Sequence, residues 1–129
     1  MSAQMNMTLA KAVWDALSVG DVEVLDELLG EDLKWHVPGN NRLSGTKTGR
    51  DQVLDYLGTL GEETEVYDLQ LQDILVNEDR AMILFHVDGK REGRTLDTQY
   101  MLLFKVEDNR LAEAWSNPFD QHAVDRFWA

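Results

Sequence analysis

Three histidines, a scatter of carboxylates and a set of large aromatics are the groups in this 129-residue sequence that could do chemistry. His36 follows Trp35 in an alternating stretch just before Pro38-Gly39. An imidazole titrates near neutrality, so at a pocket edge it serves as a general base or a hydrogen-bond donor. Facing the other way, it would meet solvent or bond the neighbouring loop. His86 and Asp88 stand two apart, which on a strand puts both on one face, where the carboxylate could orient the ring. His36, His86 and His122 show no His-x-His or Glu-x-x-His spacing, so no metal is expected. The stretch Gly45-Thr46-Lys47-Thr48-Gly49 lacks the Gly-Lys-Ser/Thr ending of a phosphate loop, and no cofactor is expected either. Asp120 is either an acid at a pocket mouth or, before an apolar helix, an N-cap. Trp35, Tyr56, Phe85, Tyr100, Trp115, Phe119 and Trp128 offer flat apolar surface. A few of them should line a pocket for a flat ligand while the rest pack the core.

The elements that must position these groups follow from periodicity. Leu9, Ala10, Val13, Trp14, Ala16 and Leu17 repeat at the helical period, with Thr8 as expected N-cap and Gly20 as stop. Val22, Leu25, Leu28 and Leu29 make a second helix, capped by Asp21 and ended by Gly30. Leu33 to Val37 alternates and reads as a short strand; Pro38 to Asn41 is a turn, and Arg42 to Gly49 an ordered loop. Val53, Leu54, Leu57 and Leu60 mark a third helix. Strands are expected over Val66–Val76, Ala81–Val87, Leu96–Val106 and Leu111–Trp115, joined by short turns as an antiparallel meander. A short helix after Asp120 ends the chain. The fold class is therefore α+β, in the order α-α-β-α-β-β-β-β plus a C-terminal helix, with helices on one face of a mostly antiparallel sheet. Residues 1–129 are expected to form one domain. Strands such as Met82-Ile83-Leu84-Phe85 are apolar on both faces. The face without helices, carrying Met82, Leu84 and Leu102 or Leu103, needs a cover, and a homodimer is the simplest.

Composition excludes several functions. Twelve Lys+Arg against 24 Asp+Glu give a net charge of −12, the opposite of the basic footprint that nucleic acid or an anionic membrane surface requires. No apolar run approaches the roughly 20 residues of a membrane span. No basic segment followed by an apolar core opens the chain, so a cytoplasmic protein is expected. With no cysteine, disulfides, thiolate metal sites and a cysteine nucleophile are all excluded.

Several strings occur in a familiar order: Gly20-Asp21, Trp35-His36-Val37-Pro38-Gly39, Leu43-Ser44-Gly45-Thr46 leading to Gly49-Arg50-Asp51-Gln52-Val53, Glu92 to Asp97, and Glu113-Ala114-Trp115 followed by Phe119-Asp120. Across nearly its whole length the chain resembles the SnoaL-like branch of the nuclear transport factor 2-like (NTF2-like) superfamily. The resemblance implies a conical barrel, a curved sheet wrapped around a long helix, with an apolar pocket inside and a homodimer through the convex face. It also implies that the His86 face points away from the pocket. Relatives include polyketide cyclases, ketosteroid isomerases and limonene epoxide hydrolases, and fold alone does not choose among them.

The residues these relatives use are partly missing. Val13-Trp14 stands where the isomerases carry a tyrosine, while their base position falls at His36 or Val37. The epoxide hydrolase pattern would need an Asp where Ala81 or Met82 stands and another at Asn117; an amide cannot take a proton as a carboxylate does. Two readings follow. One is an isomerase, cyclase or hydrolase acting on a small apolar substrate, with His36 or Asp120 catalytic. The other is a non-catalytic module that binds a small apolar molecule. In both, Trp35, Tyr56, Phe85, Tyr100 and Trp115 line the pocket and Asn117 orients the ligand.

Overall fold

The computed structural model describes residues 2–129. Helix α1 (Ala3–Val19) begins earlier than Thr8, because the Ser2 hydroxyl accepts from the Met5 amide at 3.1 Å and supplies the cap. Thr8 lies inside the helix and its hydroxyl donates to the Gln4 carbonyl. The added turn buries Asn6, whose Nδ2 donates to the carbonyls of Asn77 and Glu78, each at 2.9 Å. The helix stops at Gly20, whose φ of 69° an L side chain resists. Asp21 then caps α2 (Val22–Leu28) by accepting from the Val24 amide.

Strand β1 runs over Leu29–Val37, four residues earlier than the alternation suggested. The expected loop contains a strand, β2 (Gly45–Thr48), antiparallel to β1 with His36 opposite Thr46. Its sequence is polar because it is an edge with no apolar face to bury, so the period-2 signal is absent. Helix α3 (Arg50–Glu62) follows, then β3 (Val66–Val76), β4 (Arg80–Arg91), β5 (Arg94–Glu107) and β6 (Arg110–Pro118). Two of the turns have positive φ at both central residues, Glu92-Gly93 and Asp108-Asn109, the conformation that matches the twist of a tight hairpin. Helix α4 (Gln121–Phe127) closes the chain.

The strands form one six-stranded sheet in the order β2-β1-β6-β5-β4-β3. The meander from β3 to β6 is antiparallel, and β6 then pairs in parallel with β1. This is the NTF2-like α+β architecture expected, with the helices inside the curve of the sheet. Alternation decides what enters the core. Ile83, Phe85 and Val87 of β4 and Tyr100, Leu102 and Phe104 of β5 point inward and are buried. Met82, Leu84, Met101 and Leu103 point outward, so of the pair Leu102/Leu103 it is Leu103 that stands on the outer face. In β3 a bulge between Leu71 and Asp73 changes the phase. It lets Ile74 and Val76 pack on the same core as Tyr67 and Leu69. Among the described residues no helix is long and apolar enough to cross a membrane.

Helix α4 is docked by polar anchors as well as apolar ones. Buried Arg91 donates to the Phe127 carbonyl at 3.2 Å, and its guanidinium lies 5.3 Å from the Trp128 ring centre. Asp125 accepts from the Asn40 amide, Asn41 Nδ2 and Gln121 Nε2 at 3.1, 2.7 and 3.0 Å, tying α4 to the Pro38 turn. The Asn41 bond, helped by the other two, holds the Asp125 carboxyl below its usual range. Gly39, with φ 91°, is required there. A Cβ would stand 2.0 Å from Gln121 Nε2 and 2.4 Å from Asp125 Oδ1.

Candidate functional site

Inside the cone, Trp14 and Leu17 from α1, Tyr56, Leu57 and Leu60 from α3, and inward-facing residues of five strands enclose a chamber of about 50 Å³. The strand residues are Trp35, Tyr67, Leu69, Phe85, Tyr100, Leu102 and Ser116. The aromatics brace one another. Phe85 stacks on Tyr100 with ring centres 5.4 Å apart and planes 13° apart, Trp14 meets Phe85 at 5.4 Å, and Trp35 meets Tyr56 at 6.4 Å. Outside the chamber lies a wider vestibule of about 480 Å³ between the end of α1, the start of α2, α3 and β3. Leu17, Leu57, Leu60, Tyr67 and Leu69 belong to both walls, so the two spaces adjoin.

The chamber's polar groups are the hydroxyls of Tyr56, Tyr67, Tyr100 and Ser116, which both donate and accept, and among the described residues no side chain charged near neutral pH lines it. Burial pushes the phenols of Tyr56, Tyr67 and Tyr100 well above the usual value near 10, so all three remain neutral hydroxyls. After burial, proximity to Tyr100 raises Tyr67 further, while hydrogen bonding from Tyr67 partly offsets the burial of Tyr100. The Trp35 Nε1–H is buried and has no acceptor among the described residues. Among the described residues, no Asp, Glu or His lines the chamber. Glu62, at the end of α3, contributes to the vestibule wall.

The structure therefore brings Trp35, Tyr56, Phe85 and Tyr100 together and sends the other expected residues elsewhere. His36 does not face the interior. Trp35 occupies the inward position of β1, so its neighbour His36 must point outward. On the outer face His36 stacks on Trp115 with centres 5.4 Å apart and planes 19° apart. Its Nε2 is 2.6 Å from Glu113 Oε2 and its Nδ1 is 2.9 Å from Thr46 Oγ1. A carboxylate only accepts, so Nε2 donates to it, and in the neutral ring Nδ1 accepts from the hydroxyl. Both nitrogens are engaged, and neither reaches the chamber. The bond from His36 is the largest influence holding the Glu113 carboxyl below its usual range.

Trp115 and Asn117 are outward for the same reason, because Ser116 between them lines the chamber. Asp120 is the N-cap of α4, accepting from the Ala123 amide at 3.1 Å. Phe119 is 63 % exposed, and Trp128 is buried in the core against Phe127 and Tyr67. Tyr67, Trp14 and Ser116 complete the chamber without having been foreseen as part of it. Tyr67 precedes Leu69 by two positions, and that alternation was the available signal.

His86 also faces outward, as the resemblance implied. Its Nε2 is 2.7 Å from Asp97 and 3.6 Å from Asp88, and these three residues could present ligand atoms within 4.8 Å of one another. Sequence spacing could not reveal this group, because Asp97 comes from β5. The register sets Asp68, Asp88 and Asp97 side by side across three strands, a row of like charges. His86 sits against that row with its Nε2 nearest the Asp97 carboxylate.

A curved sheet closed on helices around an aromatic chamber defines a pocket fold of the NTF2-like type. The chain belongs to the SnoaL-like domain family, whose model matches residues 10–114. It is 28% identical to an uncharacterized protein of Mycobacterium tuberculosis over 131 aligned positions, covering all of both chains. Its structure is similar to that of Bal32a, from a soil-derived mobile gene cassette. That likeness has a TM-score of 0.94 and 28% identity, and covers 98% of each chain. A likeness of fold alone extends to an NTF2-like protein from Burkholderia xenovorans, at 23% identity and TM-score 0.87 over 100% of this chain and 99% of that one.

Proposed function

We propose that this protein binds a small apolar molecule in the funnel made by the vestibule and the aromatic chamber. The carrying observation is the continuity of the two walls through Leu17, Leu57, Leu60, Tyr67 and Leu69. Apolar walls with a few inward hydroxyls are what a site for such a ligand requires. An isomerase, cyclase or hydrolase would also need a proton-transfer group beside the ligand; among the described residues the chamber wall has no carboxyl or imidazole, and the vestibule wall adds only Glu62, at the end of α3. This favours binding without turnover, with His36 and Asp120 outside the chemistry.

The test uses Gly58, which lines the vestibule on α3 and whose added Cβ would meet only the Glu62 side chain, at 3.7 Å. Gly58→Trp fills the vestibule without strain in the helix. Titration calorimetry against a panel of uncharged aromatic ketones and hydrocarbons is expected to detect binding to the wild type. In Gly58→Trp the affinity should fall by more than about 10-fold, which is a loss of about 1.4 kcal/mol. His36→Ala should bind as the wild type does. Undiminished binding by Gly58→Trp would move the site elsewhere, and turnover lost in His36→Ala would restore the enzymatic reading.

The same proposal includes a homodimer through the outer sheet face. The register aligns Leu75, Met82, Leu103 and Trp115 in one row across four strands, continued by His36 on β1. Leu75 is 49 % exposed and the others are half-buried, an apolar stripe of the kind a second copy would cover. Sedimentation equilibrium at micromolar concentration should give twice the chain mass. A clean 14.8 kDa species would reject the dimer.

A further inference from the structure

We propose that His86, Asp88 and Asp97, on the outer face of the sheet, bind a divalent transition-metal ion of the zinc class, at a site independent of the funnel inside the cone. The topology builds the site. His86 and Asp88 stand two apart on β4 and so share its outward face, and the register sets Asp97 of β5 directly opposite Asp88. Strand β4 is interior to the sheet. It pairs with β3 through Gln70–His86 and Asp68–Asp88 and with β5 through His86–Gln99 and Asp88–Asp97, so ladder hydrogen bonds hold its backbone from both sides. The ligand groups therefore rise from a fixed frame.

The distances fit a coordination shell. His86 Nε2 is 2.7 Å from Asp97 Oδ1 and 3.6 Å from Asp88 Oδ1, and one donor atom from each residue lies within 4.8 Å of the other two. Zinc holds imidazole nitrogen and carboxylate oxygen at about 2.0–2.2 Å, which puts neighbouring atoms of a tetrahedral shell about 3.3–3.6 Å apart. The two observed separations enclose that range. The Asp88 and Asp97 side chains are 51 % and 79 % exposed, so rotation of their carboxylates suffices to gather the three atoms on one ion. Three protein ligands leave a fourth position for water, the open form of a zinc site.

Charge and ligand type select the occupant. Asp68, Asp88 and Asp97 stand directly opposite one another across three strands, and like charges so placed destabilise a sheet. Among the described residues no Lys or Arg forms an ion pair with any of the three, and Asp88 and Asp97 share the single imidazole of His86. A divalent cation answers two of those charges at once. Magnesium and calcium favour shells of oxygen alone, whereas imidazole with carboxylate suits zinc and its first-row neighbours. His36, on the same face, meets one carboxylate only, Glu113, whose other oxygen lies 4.0 Å from Lys105 Nζ. That pair lacks a third ligand and is the control.

Titration calorimetry of the wild-type chain with zinc chloride at neutral pH should give one site per chain with a Kd below about 10 µM. His86→Gln and Asp97→Asn should each weaken binding by more than about 10-fold, whereas His36→Ala should bind as the wild type does. Zinc should raise the Tm of the wild type and leave that of Asp97→Asn unchanged, because an ion stabilises only a folded state that binds it. Both substitutions lie on the outer face, so without metal each variant should still unfold cooperatively near the wild-type Tm, which separates loss of the ligand from loss of the fold. With cobalt(II) in place of zinc, the visible absorption of a four-coordinate ion should appear in the wild type and vanish in both variants. Binding weaker than about 100 µM, undiminished binding in both variants, or an equal loss in His36→Ala overturns the site.

Discussion

Trp14→Ala should lower the free energy of unfolding by about 3–5 kcal/mol, the range for deleting a large aromatic from a packed core. Trp14 is 8 % exposed and shares the buried stripe of α1 with Leu9, Ala10 and Val13. Its indole meets Phe85 at 5.4 Å, and Phe85 is stacked in turn on Tyr100. Removing it leaves a void that the sheet closes poorly, because the strand backbones that carry the facing side chains are held in place by ladder hydrogen bonds. The void joins the existing chamber, which Trp14 helps to wall. Urea unfolding measures the loss, and a value under about 1 kcal/mol would mean that the α1 stripe contributes little to the core. At temperatures where the variant is folded, its enlarged chamber should accept bulkier apolar probes than the wild type does.

A loss of similar size, about 3–5 kcal/mol, is expected for Trp128→Ala, from a different mechanism. Helix α4 has seven residues, too short to persist without tertiary support. Trp128, 2 % exposed, supplies much of that support through edge contact with Phe127 at 5.2 Å and contact with Tyr67 at 6.3 Å. Its ring also receives the Arg91 guanidinium. With the indole gone, α4 should release Arg91 from the Phe127 carbonyl and Asp125 from the Pro38 turn together. Hydrogen exchange should therefore report early opening of the α4 amides and of Asn40, with the β4–β5 amides still protected. Uniform loss of protection across the sheet would instead make α4 part of the main cooperative unit.

The helices and the meander were legible because their signals are local. Val13 and Trp14 with Leu9 and Leu17 mark one helical face, and Gly20 a stop that only its φ allows. Strand β2 was not legible. Gly45 to Thr48 is polar and its pairing partner lies ten residues away on β1, so nothing within the segment distinguishes it from a loop. The true start of α1 was missed because Ser2 and the buried Asn6 look like ordinary polar residues until the β3–β4 turn is brought beside them.

The site divides along the same line. The chain's residue types determined an α+β fold without cysteine chemistry and with a net charge of −12, and they supplied Trp35, Tyr56, Phe85 and Tyr100 as aromatic lining of the chamber. Tertiary structure decided which side of the sheet each neighbour takes. A strand reverses its side chains at every residue, so whether Trp35 or His36, Ser116 or Trp115, enters the chamber depends on the direction in which the sheet curves. That curvature goes with the packing of α1 against β3 and β4 and of α3 against β1, β2 and β3, and no local window contains it. The His86–Asp97 pair and the unpaired Trp35 N–H belong to the same class, since each depends on strands distant in sequence. The three-dimensional arrangement therefore turned His36 to the outer face and left a chamber of aromatic rings and neutral hydroxyls.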